Sequence, residues 1–310
     1  MEYKRGIDFI INVYEKRSYL RMLVDSIHKY TKDIPYTINI VNCWHGGEKG
    51  KNSSFAELNE MFGEDTAVNI IEGFDQTDTT VVQSNGSVGQ DGNKLLVETD
   101  DGNKMAAGGL YTVPSIRKAM DATNQKYMCV LDADLIFLNE WVEGITALAE
   151  KYFFVSNRWD PGAIFTTSSK RAPEEGIAKN MFWFMKREHC VKNDLYPNCR
   201  YKDLGGNMTL FAQENDLPFI VLKNTYWNST RRGLYNGCHI QWDWIKEWHV
   251  GGDVNQHIIN EEHHLIDLHY GEQMYVDGVP FAFHQNRFVR NQTDKNDDWI
   301  TKTTKYLEEN

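Results

Sequence analysis

The chain has 310 residues, of which 41% are hydrophobic, 13% aromatic and 25% charged. This composition is typical of a globular protein and excludes a disordered one, and the length suffices for one large α/β domain or two small ones. The formal net charge is −11 and no Lys/Arg run forms a basic stripe, so nucleic acid is not an expected partner. A divalent cation can still bring a diphosphate to an acidic protein, which directs attention to paired carboxylates.

Targeting and disulfide signals are not recognisable in the sequence. The N-terminal residues run straight into a strand-like segment, and no apolar run approaches the roughly 20 residues that span a bilayer. The five cysteines are odd in number and lack CxxC spacing, which argues against a disulfide framework or a zinc ribbon. We therefore expect a cytoplasmic protein with no transmembrane segment and with buried free thiols.

The first 70 residues alternate between strand and helix patterns. Apolar runs predict strands at 7–13, 37–41 and 68–71, and apolar residues at helical spacing predict helices at 20–27 and 55–62. This β-α-β-α-β order predicts a parallel sheet covered by helices. The polar stretch 73–104 that follows is typical of a functional lid or a disordered insertion.

The alternation then returns around a pair of carboxylates. A helix is predicted at 113–120 and a strand at 127–131, which runs into Asp132 and Asp134, and a helix at 141–149 and a strand at 152–156 follow. The second half of the chain is less regular. It contains strand patterns at 181–185 and 218–222, a helix pattern at 206–214, and a region rich in Trp and His from residue 226 onwards.

Asp132 and Asp134 form an Asp-x-Asp motif at the carboxyl end of an apolar strand. Residues i and i+2 of an extended chain point to the same side, so both carboxylates can face one cleft. Mg²⁺ or Mn²⁺ prefers such oxygen ligands, and substrate phosphates and water complete the coordination. Asp-x-Asp is also a common polar strand end, but two carboxylates beside buried sequence repel each other unless a cation is present. The motif therefore predicts a site for a metal and a diphosphate.

The order of these segments resembles the GT-A glycosyltransferases, especially the family-2-like group. The segments that carry the resemblance lie between residues 9 and 222, a span of about two-thirds of the chain: 9–14, 23–27, 38–42, 130–134, 202–206 and 215–222. The resemblance implies an α/β, Rossmann-like, mostly parallel sheet flanked by helices, with a C-terminal extension. It divides the chain into a nucleotide-sugar-binding half at 1–160, an acceptor-side half at 161–245 and the extension at 246–310.

The same resemblance implies roles for the residues at the strand ends. Asn12 and Tyr14 would line the nucleotide base pocket, Asp132 would lie near the ribose, and Asp134 would bind the metal. Asn42 stands where many relatives carry an Asp that holds the base or the ribose, which leaves base specificity open. The structural alternative for Asn12, Tyr14 and Asn42 is a plain strand-end turn.

Asp203 is the candidate catalytic base, which would take the proton of an acceptor hydroxyl. Gly205 and Gly206 follow it, and glycines allow a ligand to approach the backbone closely. The competing role for Asp203 is a helix N-cap, where Asp is favoured for structural reasons.

Many relatives add a histidine metal ligand from the C-terminal part of the chain. His249 is the best local match and His284 the second, although a histidine beside aromatic residues is commonly structural. The nearby tryptophans are candidates for stacking on sugar rings or for core packing: Trp242, Trp244 and Trp248.

These interpretations predict a hexosyltransferase-type enzyme that uses Mn²⁺ or Mg²⁺. Its partners would be a nucleotide-sugar donor, with a UDP-sugar favoured, and a carbohydrate or other hydroxyl acceptor, and inversion is implied by the resemblance. One alternative is a nucleotidyltransferase, although the loop after the first strand lacks the Gly-rich sequence that holds a triphosphate. The other is a non-catalytic sugar-binding protein.

Overall fold

The computed structural model describes residues 2–13, 17–42, 55–73, 88–91, 94–98, 104–106, 108–160, 177–196, 205–227, 232–235, 238–240, 265, 271–285 and 293–310. The strands are β1 Lys4–Val13, β2 Tyr36–Asn42, β3 Val68–Glu72, β4 Val88–Asp91, β5 Lys94–Glu98, β6 Lys104–Ala106, β7 Gln125–Asp132, β8 Leu135–Phe137, β9 Val155–Asp160, β10 Ile177–Lys186, β11 Phe219–Val221, β12 Asn224–Trp227, β13 Arg232–Tyr235, β14 Cys238–Ile240, β15 Gly271–Val276 and β16 Val279–Gln285. The helices are α1 Arg17–Tyr30, α2 Phe55–Phe62, α3 Gly108–Asp121, α4 Val142–Lys151, α5 Arg187–Asn193, α6 Gly206–Glu214 and α7 Thr293–Glu309.

A mixed, mostly parallel sheet forms the centre of the fold, with the strand order β14-β11-β9-β10-β7-β1-β2-β3. The run β7-β1-β2-β3 is parallel, as is the pair β9 and β11. β10 lies antiparallel between β7 and β9. The predicted α/β class, with a mostly parallel sheet flanked by helices, is confirmed.

Apolar side chains cover both faces of this sheet. Phe9 and Ile11 of β1 belong to a core cluster shared with α1 and α4, whereas Ile10 packs in a second cluster with residues of α3, α5 and α6. Burial on both faces explains why the strands read as continuous apolar runs. Each fully buried side chain of this kind stabilises the fold by about 1.5–3 kcal/mol. Within the described residues, no helix combines the length and the apolar character needed to cross a bilayer.

A second sheet, which the sequence patterns do not predict, has the order β13-β12-β15-β16-β8. Its strand β8 begins directly after Asp134, and β15 and β16 come from the expected C-terminal extension. Helix α7 closes one side, where the indole of Trp299 packs edge-on against Tyr19 of α1 with ring centroids 5.0 Å apart. The extension therefore contributes strands that pair with the segment following the carboxylate pair.

The hairpin of β15 and β16 carries a feature that sets the register of this second sheet. Asp277 and Gly278 form its tight turn with φ of 50° and 78°, as a two-residue hairpin loop requires. Tyr275 pairs with Pro280, but Met274 pairs with Ala282, so Phe281 is an extra residue on β16. Such a bulge shifts every later pair by one residue and redirects the side chains beyond it.

Three strands lie within the polar stretch 73–104 and directly after it. Strands β4, β5 and β6 form a small antiparallel sheet, and β5 contains the short apolar run 95–97. The alternative of a disordered insertion is therefore wrong for these strands, and the alternative of a functional lid stays a prediction. These strands have only 4, 5 and 3 residues, and strands this short give a weak apolar pattern.

Candidate metal centre

The strand order of the main sheet changes direction at β1, which is therefore a topological switch point. The chain passes from β1 outward to β2 and β3 on one side, and β7 then pairs with β1 on the other side. At the carboxyl ends of these two strands, Asn12 lies opposite Asp132 in the parallel register. Open α/β sheets bind their ligands in the crevice at such a point, because the connections diverge there.

Asp134 lies where the chain leaves the main sheet for the second one. A tight turn follows Asp132, and β8 starts at Leu135. β16 runs antiparallel to β8 with His284 opposite Leu135, and the backbone N–H of Gln285 donates to the carbonyl oxygen of Asp134 at 3.0 Å. This pairing places His284 beside the carboxylate pair, although about 150 residues separate them in the sequence.

The three side chains converge. Nε2 of His284 lies 3.4 Å from Oδ1 of Asp134 and 3.8 Å from Oδ2 of Asp132. One ligand atom from each residue lies within 4.8 Å of the others. The side chains of Asp134 and His284 are 3% and 4% exposed, whereas that of Asp132 is 43% exposed. The group is thus enclosed on the side of Asp134 and His284 and open to solvent at Asp132.

The donor set fits a divalent cation. Two carboxylate oxygens suit Mg²⁺ and Mn²⁺, and an imidazole nitrogen shifts the preference toward a first-row transition ion, of which Mn²⁺ tolerates both ligand types. An exposed carboxylate at the mouth leaves room for a substrate to approach the ion. The arrangement is therefore compatible with a cation held by Asp132, Asp134 and His284, and the diphosphate stays a prediction.

Among the predicted nucleotide residues, Asn12, Asn42 and Asp132 lie at the carboxyl ends of neighbouring strands. Asn12 of β1 is half-buried, and it lies on the same face of the sheet as Asp132 of β7, with which it pairs. Asn42, at the end of β2, lies opposite Val13, and its Nδ2 donates to Oε2 of Glu72 at 3.1 Å. Asn42 is therefore one strand further from the carboxylates than Asn12 is, and the sequence interpretation missed its partner Glu72. Tyr14 lies outside the described residues.

The histidine ranking needs revision. His284, the second candidate in the sequence, joins the carboxylates, while His249 lies outside the described residues and its role stays a prediction. The turn dipeptide Asp277-Gly278 between two strand-like runs was the signal that could have placed His284 at the end of a hairpin strand. The three tryptophans proposed for stacking, Trp242, Trp244 and Trp248, also lie outside the described residues.

The segment after Asp203 has a structural explanation of its own. The N-cap residue of α6 is Gly205, whose φ is 110° and which makes no side-chain cap. A Cβ there would lie 2.5 Å from the carbonyl oxygen of Ala178 and 2.5 Å from the ring of Trp183. Glycine is thus required by the backbone and by packing. The alternative in which Asp203 is the N-cap of α6 is wrong, and Asp203 itself lies outside the described residues.

Comparison with known proteins finds similarity at the level of structure only. No family model and no curated protein matches the sequence. A mannosyltransferase from Pyrobaculum calidifontis, solved with GDP-Man and Mn²⁺, has 13% identity and a TM-score of 0.41 over 69% of this chain and 52% of its own. Mouse xyloside xylosyltransferase 1 has 13% identity and a TM-score of 0.39 over 70% and 85% of the two chains. S. aureus TarS 1-349 has 12% identity and a TM-score of 0.37 over 66% and 54%.

This chain therefore spans about half the length of the mannosyltransferase and of TarS 1-349. All three alignments have TM-scores below 0.5.

Proposed function

We propose that this protein is a metal-dependent glycosyltransferase of the GT-A type. It moves a sugar from a nucleotide-sugar donor, with a UDP-sugar favoured, to a hydroxyl of a carbohydrate or other acceptor. The observation that carries the proposal is the convergence of Asp132, Asp134 and His284 at the switch point of the sheet, beside Asn12. The proposed division of the chain into 1–160, 161–245 and 246–310 follows from this function.

We assign the three side chains of the cluster different roles according to their exposure to solvent. Asp134 and His284 are buried and hold the cation from the enclosed side, while the more exposed Asp132 faces the donor. Asn12, on the same face as Asp132, contacts the nucleoside, and Asn42 and Tyr14 complete the base pocket. When bound, the cation supplies Lewis-acid stabilisation for the negative charge of the departing nucleoside diphosphate.

The acceptor side requires a base. We assign this role to Asp203, whose carboxylate takes the proton of the acceptor hydroxyl as the new glycosidic bond forms. A base on the acceptor side fits a single displacement with inversion at the sugar carbon.

The decisive experiment measures UDP binding by calorimetry in Mn²⁺ and in EDTA for the wild type, Asp134→Asn and His284→Ala. We expect the wild type to require Mn²⁺, and both variants to lose at least about 10- to 100-fold in UDP affinity, because each removes a ligand to the ion. Asp33→Asn is the matched control. Asp33 is exposed before β2, at the opposite edge of the sheet, and Asn tolerates its positive φ of 59°.

Equal UDP affinity in Mn²⁺ and in EDTA would contradict the proposal. Incubation with UDP-sugars and with nucleoside triphosphates then separates the enzyme classes. Slow Mn²⁺-dependent hydrolysis of a UDP-sugar supports the transferase and excludes a non-catalytic sugar-binding protein. Turnover of triphosphates alone would instead indicate a nucleotidyltransferase.

A further inference from the structure

Glu272 is a buried carboxylate to which the proposed function assigns no role. It lies on β15 and is 2% exposed. Removing an ionised carboxylate from water costs several kcal/mol unless charges or hydrogen bonds compensate for it. A buried carboxylate near the start of β15 is therefore expected to face a group that compensates its charge.

The bulge at Phe281 places Glu272 directly opposite His284. Beyond the bulge, Glu272 of β15 pairs with His284 of β16. If the register of the pairs nearest the turn continued without the extra residue, His284 would lie opposite Gly271 instead. Directly opposite residues project from the same face, with Cβ atoms about 4.5–5.5 Å apart. On the other side of His284 in this row stands the apolar Leu135 of β8. Glu272 is thus the acidic cross-strand neighbour of the histidine.

The imidazole has two nitrogens, and the structure indicates how they are divided. Nε2 faces Asp132 and Asp134, so it is the nitrogen available to a cation. Nδ1 is then the atom that carries the ring proton. Metal-ligating histidines commonly donate this second N–H to a carboxylate, which fixes the tautomer and the ring orientation and makes the ligand more basic.

We propose that Glu272 is the positioning residue of the metal centre and accepts the Nδ1–H of His284 when the cation is bound. The inference rests on the proposed function, since it requires His284 to be a metal ligand. Glu272 acts through His284 and touches neither the donor nor the acceptor. Its effect is on the affinity of the ion and on the orientation of the imidazole.

The test measures Mn²⁺ affinity and the melting temperature of the metal-free protein for Glu272→Gln and Glu272→Met. We expect Mn²⁺ affinity to fall about 10- to 100-fold in both variants. The metal-free melting temperature of Glu272→Gln should stay near the wild-type value, because the amide keeps the shape of the side chain and can still form hydrogen bonds. The ¹⁴N modulation of the bound-Mn²⁺ spin echo should persist at saturating Mn²⁺ with altered coupling, because the imidazole still binds but is no longer held in place.

Gln273→Leu is the matched control. Gln273 is the next residue of β15, is fully buried on the other face and donates to the hydroxyl of Tyr275 at 2.6 Å. Its loss should lower the melting temperature and leave Mn²⁺ affinity unchanged. Glu272 variants that behave like this control, with lower stability and wild-type Mn²⁺ affinity, would overturn the proposal.

The variants His284→Ala and Asp134→Asn distinguish a failure of this inference from a failure of the function. If both keep wild-type Mn²⁺ affinity, the metal centre is wrong and the role of Glu272 falls with it. If both lose affinity while Glu272→Gln and Glu272→Met do not, the metal centre stands and only the positioning role is refuted.

Discussion

Asn42 shows how one residue departs from the pattern that the sequence resembles. The resemblance to the GT-A enzymes implies an Asp at this position in many of them, whereas here the carboxylate stands on Glu72 of the neighbouring strand, paired with Asn42 in register. A carboxylate only accepts hydrogen bonds, so the amide NH₂ of Asn42 faces Glu72 and its carbonyl oxygen is left for another partner. An acceptor at this place suits a base with an N–H donor, and we propose that this oxygen contacts the nucleotide.

Restoring the Asp should therefore be harmful in this chain. Asn42→Asp places two carboxylates about 3 Å apart at the sheet edge, and we expect the unfolding free energy at pH 7 to fall by about 1–2 kcal/mol, less than for a fully buried pair because Glu72 is exposed. Urea unfolding measures this change. The double variant Asn42→Asp, Glu72→Gln reverses the hydrogen bond and should recover most of the loss. A single variant as stable as the wild type would show that the pair is not coupled.

Single residues also show the reach of the sequence interpretation at the site. Asp132 and Asp134 are recognisable because a local pattern, an apolar strand followed by Asp-x-Asp, specifies both their type and their position. His284 is a candidate ligand in the sequence, but its place beside the carboxylates depends on cross-strand pairing and on the bulge that also puts Glu272 opposite it. Local spacing therefore identifies the carboxylates, whereas tertiary pairing is needed to find the residues around them.

At the scale of elements, the two sheets differ in how well they can be predicted. The strands of the main sheet are buried on both faces, so their apolar runs are unmistakable, and β1, β2, β3 and β7 all appear where the sequence predicts them. The second sheet is assembled from short strands of distant segments, such as β8 and β16, whose apolar runs fit equally well in a loop or a helix end. Their partners are set by register, which depends on the turn and the bulge.

Gly278 in the hairpin turn and Gly205 at the start of α6 allow backbone strain to be separated from packing. Gly278 has a positive φ of 78° and no atom within 4 Å of a Cβ, whereas Gly205 has a φ of 110° and a Cβ there would overlap Trp183. We expect Gly278→Ala to lower the unfolding free energy by about 1 kcal/mol, through backbone strain alone. Gly205→Ala adds overpacking to strain and should cost roughly 2–6 kcal/mol.

Chemical denaturation of the two variants gives both values. Gly278→Asn is the control, because Asn tolerates a positive φ and should be more stable than Gly278→Ala. Equal losses for Gly278→Ala and Gly205→Ala would show that contact with Trp183 does not contribute.

At the scale of the whole molecule, a buried ion pair lies toward the amino ends of β1 and β7, away from the candidate metal centre at their carboxyl ends. Arg187, at the start of α5, pairs with Asp8 of β1, and both side chains are almost fully buried. The same guanidinium donates to the carbonyl oxygens of Met120 and Gln125 at 2.7 and 2.9 Å. One side chain thus links β1, the α3–β7 connection and the segment that follows β10.

Breaking this link should lower the stability of the whole fold without affecting the site. Arg187→Met leaves the carboxylate of Asp8 buried without its cation, and we expect the unfolding free energy to fall by about 3–5 kcal/mol. In the double variant Asp8→Leu, Arg187→Met no charge is left behind, so it should be more stable than Arg187→Met, although Met120 and Gln125 still lose a donor. Denaturant unfolding of both single variants and the double variant completes the cycle.

Mn²⁺-dependent UDP affinity should stay at the wild-type value in every variant that folds, because the ion pair and the site lie toward opposite ends of the strands. Strictly additive losses would mean that Asp8 and Arg187 do not interact energetically, and a loss of UDP affinity in a folded variant would mean that the two edges are coupled.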